Sequence, residues 1–130
     1  LAAREEMISP ESRQFLAMTQ GLDYGKGMRV LYCRDAADNQ WVKNTYVAFE
    51  ASPISLVFAS LDPETMDASA VRDAAASSHA GYLYCDPMQG DEGKLFSDFG
   101  QEFETGTLYR IVWDNGGMKL EQVWQDKKRA

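Results

Sequence analysis

The sequence predicts an α+β domain: an antiparallel sheet of about six to seven short strands carrying two short helices. Three observations lead there. Two segments open with helix-capping grammar, several runs are rich in β-branched and aromatic residues between turn formers, and the C-terminal third contains an Asn-Gly hairpin signal. A β-sandwich decorated with helices is the alternative, because strand order cannot be read from sequence. At 130 residues the chain is long enough for one domain with a real core, taken here as residues 1–130.

The first helix begins at Ser9-Pro10-Glu11, which supplies a capping hydroxyl, a proline at the first helical position and an early acid. Phe15, Leu16 and Met18 form its apolar stripe, and Gly21 is placed to end it. Residues 28–33, 41–49, 54–61 and 81–85 read as strands, separated by turn formers such as Asp38-Asn39 and Ser52-Pro53. Asp62-Pro63-Glu64 opens the second helix, which runs through Met66, Ala70, Val71, Ala74 and Ala75 and closes before Gly81. Its small alanine face permits close packing on a sheet, and its length suits a crossover between strands.

The hairpin is the most determined element. Residues 108–113 and 118–124 flank Asp114-Asn115-Gly116-Gly117, and Asn-Gly suits a two-residue type I′ turn. With the turn on Asn115-Gly116, Trp113 faces Met118, Ile111 faces Leu120 and Tyr109 faces Gln122 on the core side. Arg110 then opposes Glu121, and Val112 opposes Lys119, on the other. The basic tail Lys127, Lys128 and Arg129 reads as a frayed, solvated end.

Composition narrows function. The net charge of −7 disfavours nucleic acid, whose recognition needs clustered Lys and Arg. The longest apolar run, residues 54–61, is strand-sized, so no membrane span is expected. The two cysteines, Cys33 and Cys85, occur in identical Leu-Tyr-Cys tripeptides on predicted strands, a placement that suggests one disulfide. A disulfide implies an oxidising compartment, so the chain is expected to be secreted or periplasmic. The start Leu1-Ala2-Ala3-Arg4 fits the mature end left after a signal peptide, although no glycosylation sequon supports that route.

Chemistry has few candidates. His79 is the only histidine, Glu102 and Glu104 share a strand face, and neither cysteine has the company that zinc or thiol redox chemistry requires. No catalytic constellation, metal or cofactor is expected, and no phosphate loop or calcium loop is present. Aromatic residues are more numerous than one small core needs. Trp41, Phe96, Phe99 and Trp124 are therefore the expected binding residues, Trp41 or Trp124 also serving as a sugar platform in a carbohydrate-binding sandwich.

A helix over residues 67–78, then Ser78-His79-Ala80-Gly81-Tyr82, an acidic-aromatic stretch over 99–104 and the Tyr109-Arg110-Ile111-Val112-Trp113 strand follow one another. This order resembles that of small secreted ribonuclease-like proteins of plant-pathogenic fungi, over less than half of the chain. The resemblance implies the microbial ribonuclease α+β fold and a virulence effector that binds a host protein. It also offers a ribonuclease alternative, in which His79 would act with Glu102 or Glu104 and Arg110 would sit near the phosphate. The expected function is thus non-enzymatic protein recognition by a secreted, effector-like protein whose partner is a host target, receptor or cognate toxin. A bacterial toxin-immunity protein would share these features, and a basic toxin would suit the acidic charge.

Overall fold

The computed structural model describes residues 7–20, 27–60, 68–87, 95–98, 101–115 and 117–124. In chain order these form α1 (Pro10–Gln20), β1 (Arg29–Arg34), α2 (Trp41–Ala51), β2 (Ser55–Ser60), α3 (Ala68–Ser78), β3 (Tyr82–Cys85), β4 (Leu95–Asp98), β5 (Gln101–Glu104), β6 (Leu108–Asp114) and β7 (Gly117–Trp124). The fold is α+β. Its main sheet has five strands in the order β2-β1-β3-β6-β7, and β4 and β5 form a separate two-stranded sheet.

Half of the main sheet departs from the antiparallel expectation. β1 runs parallel to both β2 and β3, and only the β3-β6 and β6-β7 pairs are antiparallel. Parallel neighbours require crossover connections, and α2 and α3 supply them. The sandwich alternative is not realised: α1 and α2 pack on one face of the main sheet and α3 on the other, and the two-stranded β4-β5 pair is the one further sheet among the described residues.

The expected strand over residues 41–49 is instead helix α2, which makes three helices among the described residues where two were expected. Its β-branched and aromatic residues suggested a strand by propensity, but the buried pair Val47 and Ala51 is spaced at one helical turn. Burial on that period outweighs the weak local preference of Trp, Val, Thr and Tyr. The helix starting near Ser9 is present, with Ser9 Oγ accepting the Ser12 N–H at 3.2 Å. The described part of the second expected helix is α3, and its Asp62-Pro63-Glu64 opening lies outside the described residues.

Alternation along β1 and β3 divides the core in two. Val30, Tyr32 and Tyr84 pack with Phe15 and Met18 of α1 and Val47 and Ala51 of α2. Leu31, Cys33, Leu83 and Cys85 pack on the other face with Val71 and Ala75 of α3 and Phe103 of β5. The β6-β7 hairpin has the register read from its turn, with Trp113 opposite Met118, Ile111 opposite Leu120 and Arg110 opposite Glu121. Asn115 takes a positive φ of 50°, the left-handed conformation that this turn demands.

Candidate functional site

The site follows from the topology. From β1 the chain turns to β2 on one side, then crosses back over β1 to reach β3 on the other. In open sheets of this kind the crevice beyond the carboxyl ends of two such strands is the usual ligand position. A cleft of about 340 Å³ lies there, lined by Ser9, Glu11, Asp35, Ala37, Asp38, Asp86 and Pro87.

Beneath it is a connected set of buried polar side chains. Arg34, the last residue of β1, has no exposed surface and donates from Nε to Asp86 at 3.1 Å. Asp86 immediately follows β3, and its other carboxylate oxygen accepts from the Tyr32 hydroxyl. The Arg34 guanidinium also donates to Ser12 Oγ at 3.0 Å and to Asn44 Oδ1 at 2.8 Å. Asn44 in turn donates to Asn39, and Asn39 to Ser60 Oγ, each at 2.7 Å. The network therefore joins α1, β1, α2, β3 and the end of β2.

Sequence parity explains why it forms. Tyr32 and Arg34 are two apart on β1, and Tyr84 and Asp86 are two apart across the end of β3, so all four project toward α1 and α2. Tyr32 pairs in register with Tyr84, which sets Arg34 and Asp86 at equal depth. The loop after β1 is held by Asp35, whose Oδ1 accepts the Ala37 N–H at 3.0 Å and whose carbonyl accepts from Asp38 and Asn39.

Electrostatics at Asp86 are set by burial. Desolvation pushes its carboxyl up from 3.8 to about 6, and this outweighs the opposing pull of Tyr32 and Arg34. Burial likewise holds the Tyr32 phenol well above its ordinary range, reinforced by the Asp86 charge. A carboxyl with a raised pKa, facing a cleft and resting on a fully buried guanidinium, is a combination typical of functional sites. Arg34 and Lys43, which reaches Asp38 at 3.4 Å, offset two of the four lining carboxylates, so the lining remains net negative.

The cysteine bridge is not formed. Cys33 and Cys85 are opposite each other in the β1-β3 register, yet both are free, buried thiols 4.0 Å apart. The neighbouring Cys33 thiol, then desolvation, raises the Cys85 pKa well above its usual value, which disfavours the reactive thiolate. The tripeptides thus mark two adjacent strands correctly without marking a covalent link.

The other expected residues are dispersed. His79 directly follows α3 in a left-handed conformation, φ 56°, beside Ala75, Ala76, Ala80 and Trp113. Its side chain makes no hydrogen bond or ion pair among the described residues. Arg110 forms an exposed pair with Glu121 at 2.7 Å, while Glu102 and Glu104 lie on β5, so no cluster unites these four. Trp41 is 81% exposed at the start of α2, three residues beyond the cleft-lining Asp38. Phe96 lies on β4 and Trp124 ends β7, but their side chains are outside the described residues, as is all of Phe99. No described helix is long and apolar enough to cross a membrane, and no metal-holding group of His, Cys, Asp and Glu occurs among the described residues.

Sequence reasoning missed Ser12, Tyr32, Arg34, Asn44 and Asp86 as a unit. The signal was present in the repeated tripeptide, which continues as Leu31-Tyr32-Cys33-Arg34 in one copy and Leu83-Tyr84-Cys85-Asp86 in the other. Aligning two neighbouring strands on the repeat pairs opposite charges at their ends. The chain matches no protein-family model, no curated protein and no solved structure.

Proposed function

We propose that this domain is a protein-recognition module that grips a basic segment of its partner with the acidic cleft and the adjoining outer face of α2. The observation that carries this reading is the exposure of Trp41 and Phe49, 81% and 72%, on one stripe of a helix that begins beside the cleft. Val42 adds 43% exposure, and Thr45 lies between the two rings on the same stripe. Exposed large aromatics supply the anchors of interfaces, and a carboxylate-lined cleft beside them selects cationic side chains. The net charge of −7 steers a basic partner toward the surface.

Both settings expected from the sequence, an effector meeting a host protein and an immunity protein meeting a basic toxin, use this kind of surface. The expectation of secretion rested on the cysteine bridge, so the recognition reading is proposed without a compartment. Titration calorimetry with matched Lys/Arg-rich and Glu-rich peptides carrying one leucine tests it. The basic peptide should bind, weaken with added salt, and lose roughly tenfold or more in affinity in W41A/F49A. Equal binding of both peptides, or no response to W41A/F49A, would overturn the reading.

A further inference from the structure

The two edges of the main sheet are built differently. β7, at one edge, carries Lys119 and Glu121 as exposed charges, and its pairing with β6 shifts register near Leu108. These are the devices that stop an edge from adding another strand. β2, at the other edge, reads Ser55-Leu56-Val57-Phe58-Ala59-Ser60, with no charge, no proline and an unbroken six-residue register against β1. Among the described residues no strand pairs with its outer side.

The direction of its backbone groups is fixed by one hydrogen bond. Ser55 donates its N–H to the Met28 carbonyl, so Ser55, Val57 and Ala59 aim their backbone groups at β1. Leu56, Phe58 and Ser60 aim theirs outward. The side chains are likewise half finished. β1 is buried from Val30 to Arg34, whereas Leu56, Val57, Phe58 and Ala59 of β2 are only partly buried while packing on the two cores.

We propose that β2 pairs antiparallel with β2 of a second copy of this chain, joining two five-stranded sheets into one about a twofold axis at Phe58. In that register Phe58 faces its own counterpart and Leu56 faces Ser60, so all three outward residues exchange both backbone bonds. Centring the axis on Val57 would engage only Leu56 and Phe58. The pairing keeps each side chain on its own face, so Leu56 and Phe58 extend one core and Val57 and Ala59 the other. A second copy fits better than a charged peptide, because β2 offers such a peptide no charge to meet, whereas a second β2 brings the same two partly buried apolar rows and the same three outward residues.

Sedimentation equilibrium together with residue-resolved amide exchange tests the pairing. The expected result is a species of twice the 14.6 kDa chain mass. Leu56, Phe58 and Ser60 should exchange slowly in concentrated and quickly in dilute protein, with Val57 and Ala59 slow in both. S55K/S60K, which puts cations on the two exposed ends of the strand, should raise the dimer dissociation constant roughly tenfold or more. A monomer into the millimolar range would overturn the proposal. So would a dimer whose Leu56 and Phe58 amides exchange fast, or a monomer that protects this edge only when a foreign peptide is added. The exchange pattern of the unsubstituted protein decides the matter even if S55K/S60K folds poorly.

Discussion

Lowering the pH from 7.5 to 5 should make this protein more stable, against the usual behaviour of carboxylates. Asp86 has a folded pKa of about 6 against 3.8 when free, so between those values the folded chain binds more protons than the unfolded one. Stability then falls as pH rises through this window and is recovered as Asp86 is protonated. The full shift of about two units is worth about 3 kcal/mol, reached only below the unfolded pKa; at pH 5 the gain is about 1.4 kcal/mol. Urea titrations followed by tryptophan fluorescence at pH 7.5, 6.5, 5.5 and 5 measure it, the midpoint rising by roughly 0.5–1.4 M for ordinary urea slopes. D86N supplies the reference, because Asn can accept from Arg34 and donate to the Tyr32 oxygen while titrating nothing. Subtracting its profile removes every other carboxylate common to both proteins. Parallel pH profiles for the two proteins, or a difference of opposite sign, would refute the account of Asp86.

Removing the other charge should be far more damaging: R34M leaves Asp86 buried without its cation and should cost about 3–5 kcal/mol at pH 7.5, with a smaller loss at pH 5 where Asp86 is neutral. F15A, emptying a site whose ring lies 4.8 Å from both Tyr32 and Tyr84, should cost about 3–5 kcal/mol by the same urea assay. W41S removes a side chain that is 81% exposed and should change the unfolding free energy by no more than about 0.5 kcal/mol while weakening the basic peptide in calorimetry. A thiol reagent should label neither cysteine in the native protein and both after denaturation without reductant, as two buried free thiols require.

What was legible in the sequence is what local chemistry determines. Asn115-Gly116 fixed a turn whose geometry admits one register, and every pair from Tyr109 to Trp113 follows it. Ser9-Pro10-Glu11 likewise located the start of α1, which begins at Pro10. The direction of β1 relative to β2 and β3 was not legible, because it depends on crossovers through α2 and α3 and no residue of β1 encodes it. Reading 41–49 as a strand made that error self-consistent, since a chain without a helix between β1 and β2 has no means of running them parallel. The candidate site was hidden by the same mistake, for Asn44 reaches Arg34 only from a helix lying across β1.

The two Leu-Tyr-Cys copies explain both the mistake and its correction. Paired cysteines suggest a bond between strands, but within each tripeptide the tyrosine and the cysteine point to opposite faces. The cysteine side is an apolar layer under α3, where two thiols pack as small hydrophobic groups and have no polar work to do. The tyrosine side leads, two residues on, to Arg34 and Asp86, where burial makes a charge costly unless it is paired and hydrogen-bonded. A core built for stability alone would place apolar groups there, since ion pairs of this kind seldom gain more than they lose in desolvation. Keeping a guanidinium with no exposed surface beneath an open acidic cleft makes sense if the cleft must hold Asp86 in a fixed orientation. The R34M and D86N pair separates these alternatives: a scaffold role predicts that both alter stability alone. A recognition role predicts that D86N also loses affinity for the basic peptide at urea-free conditions where it remains folded.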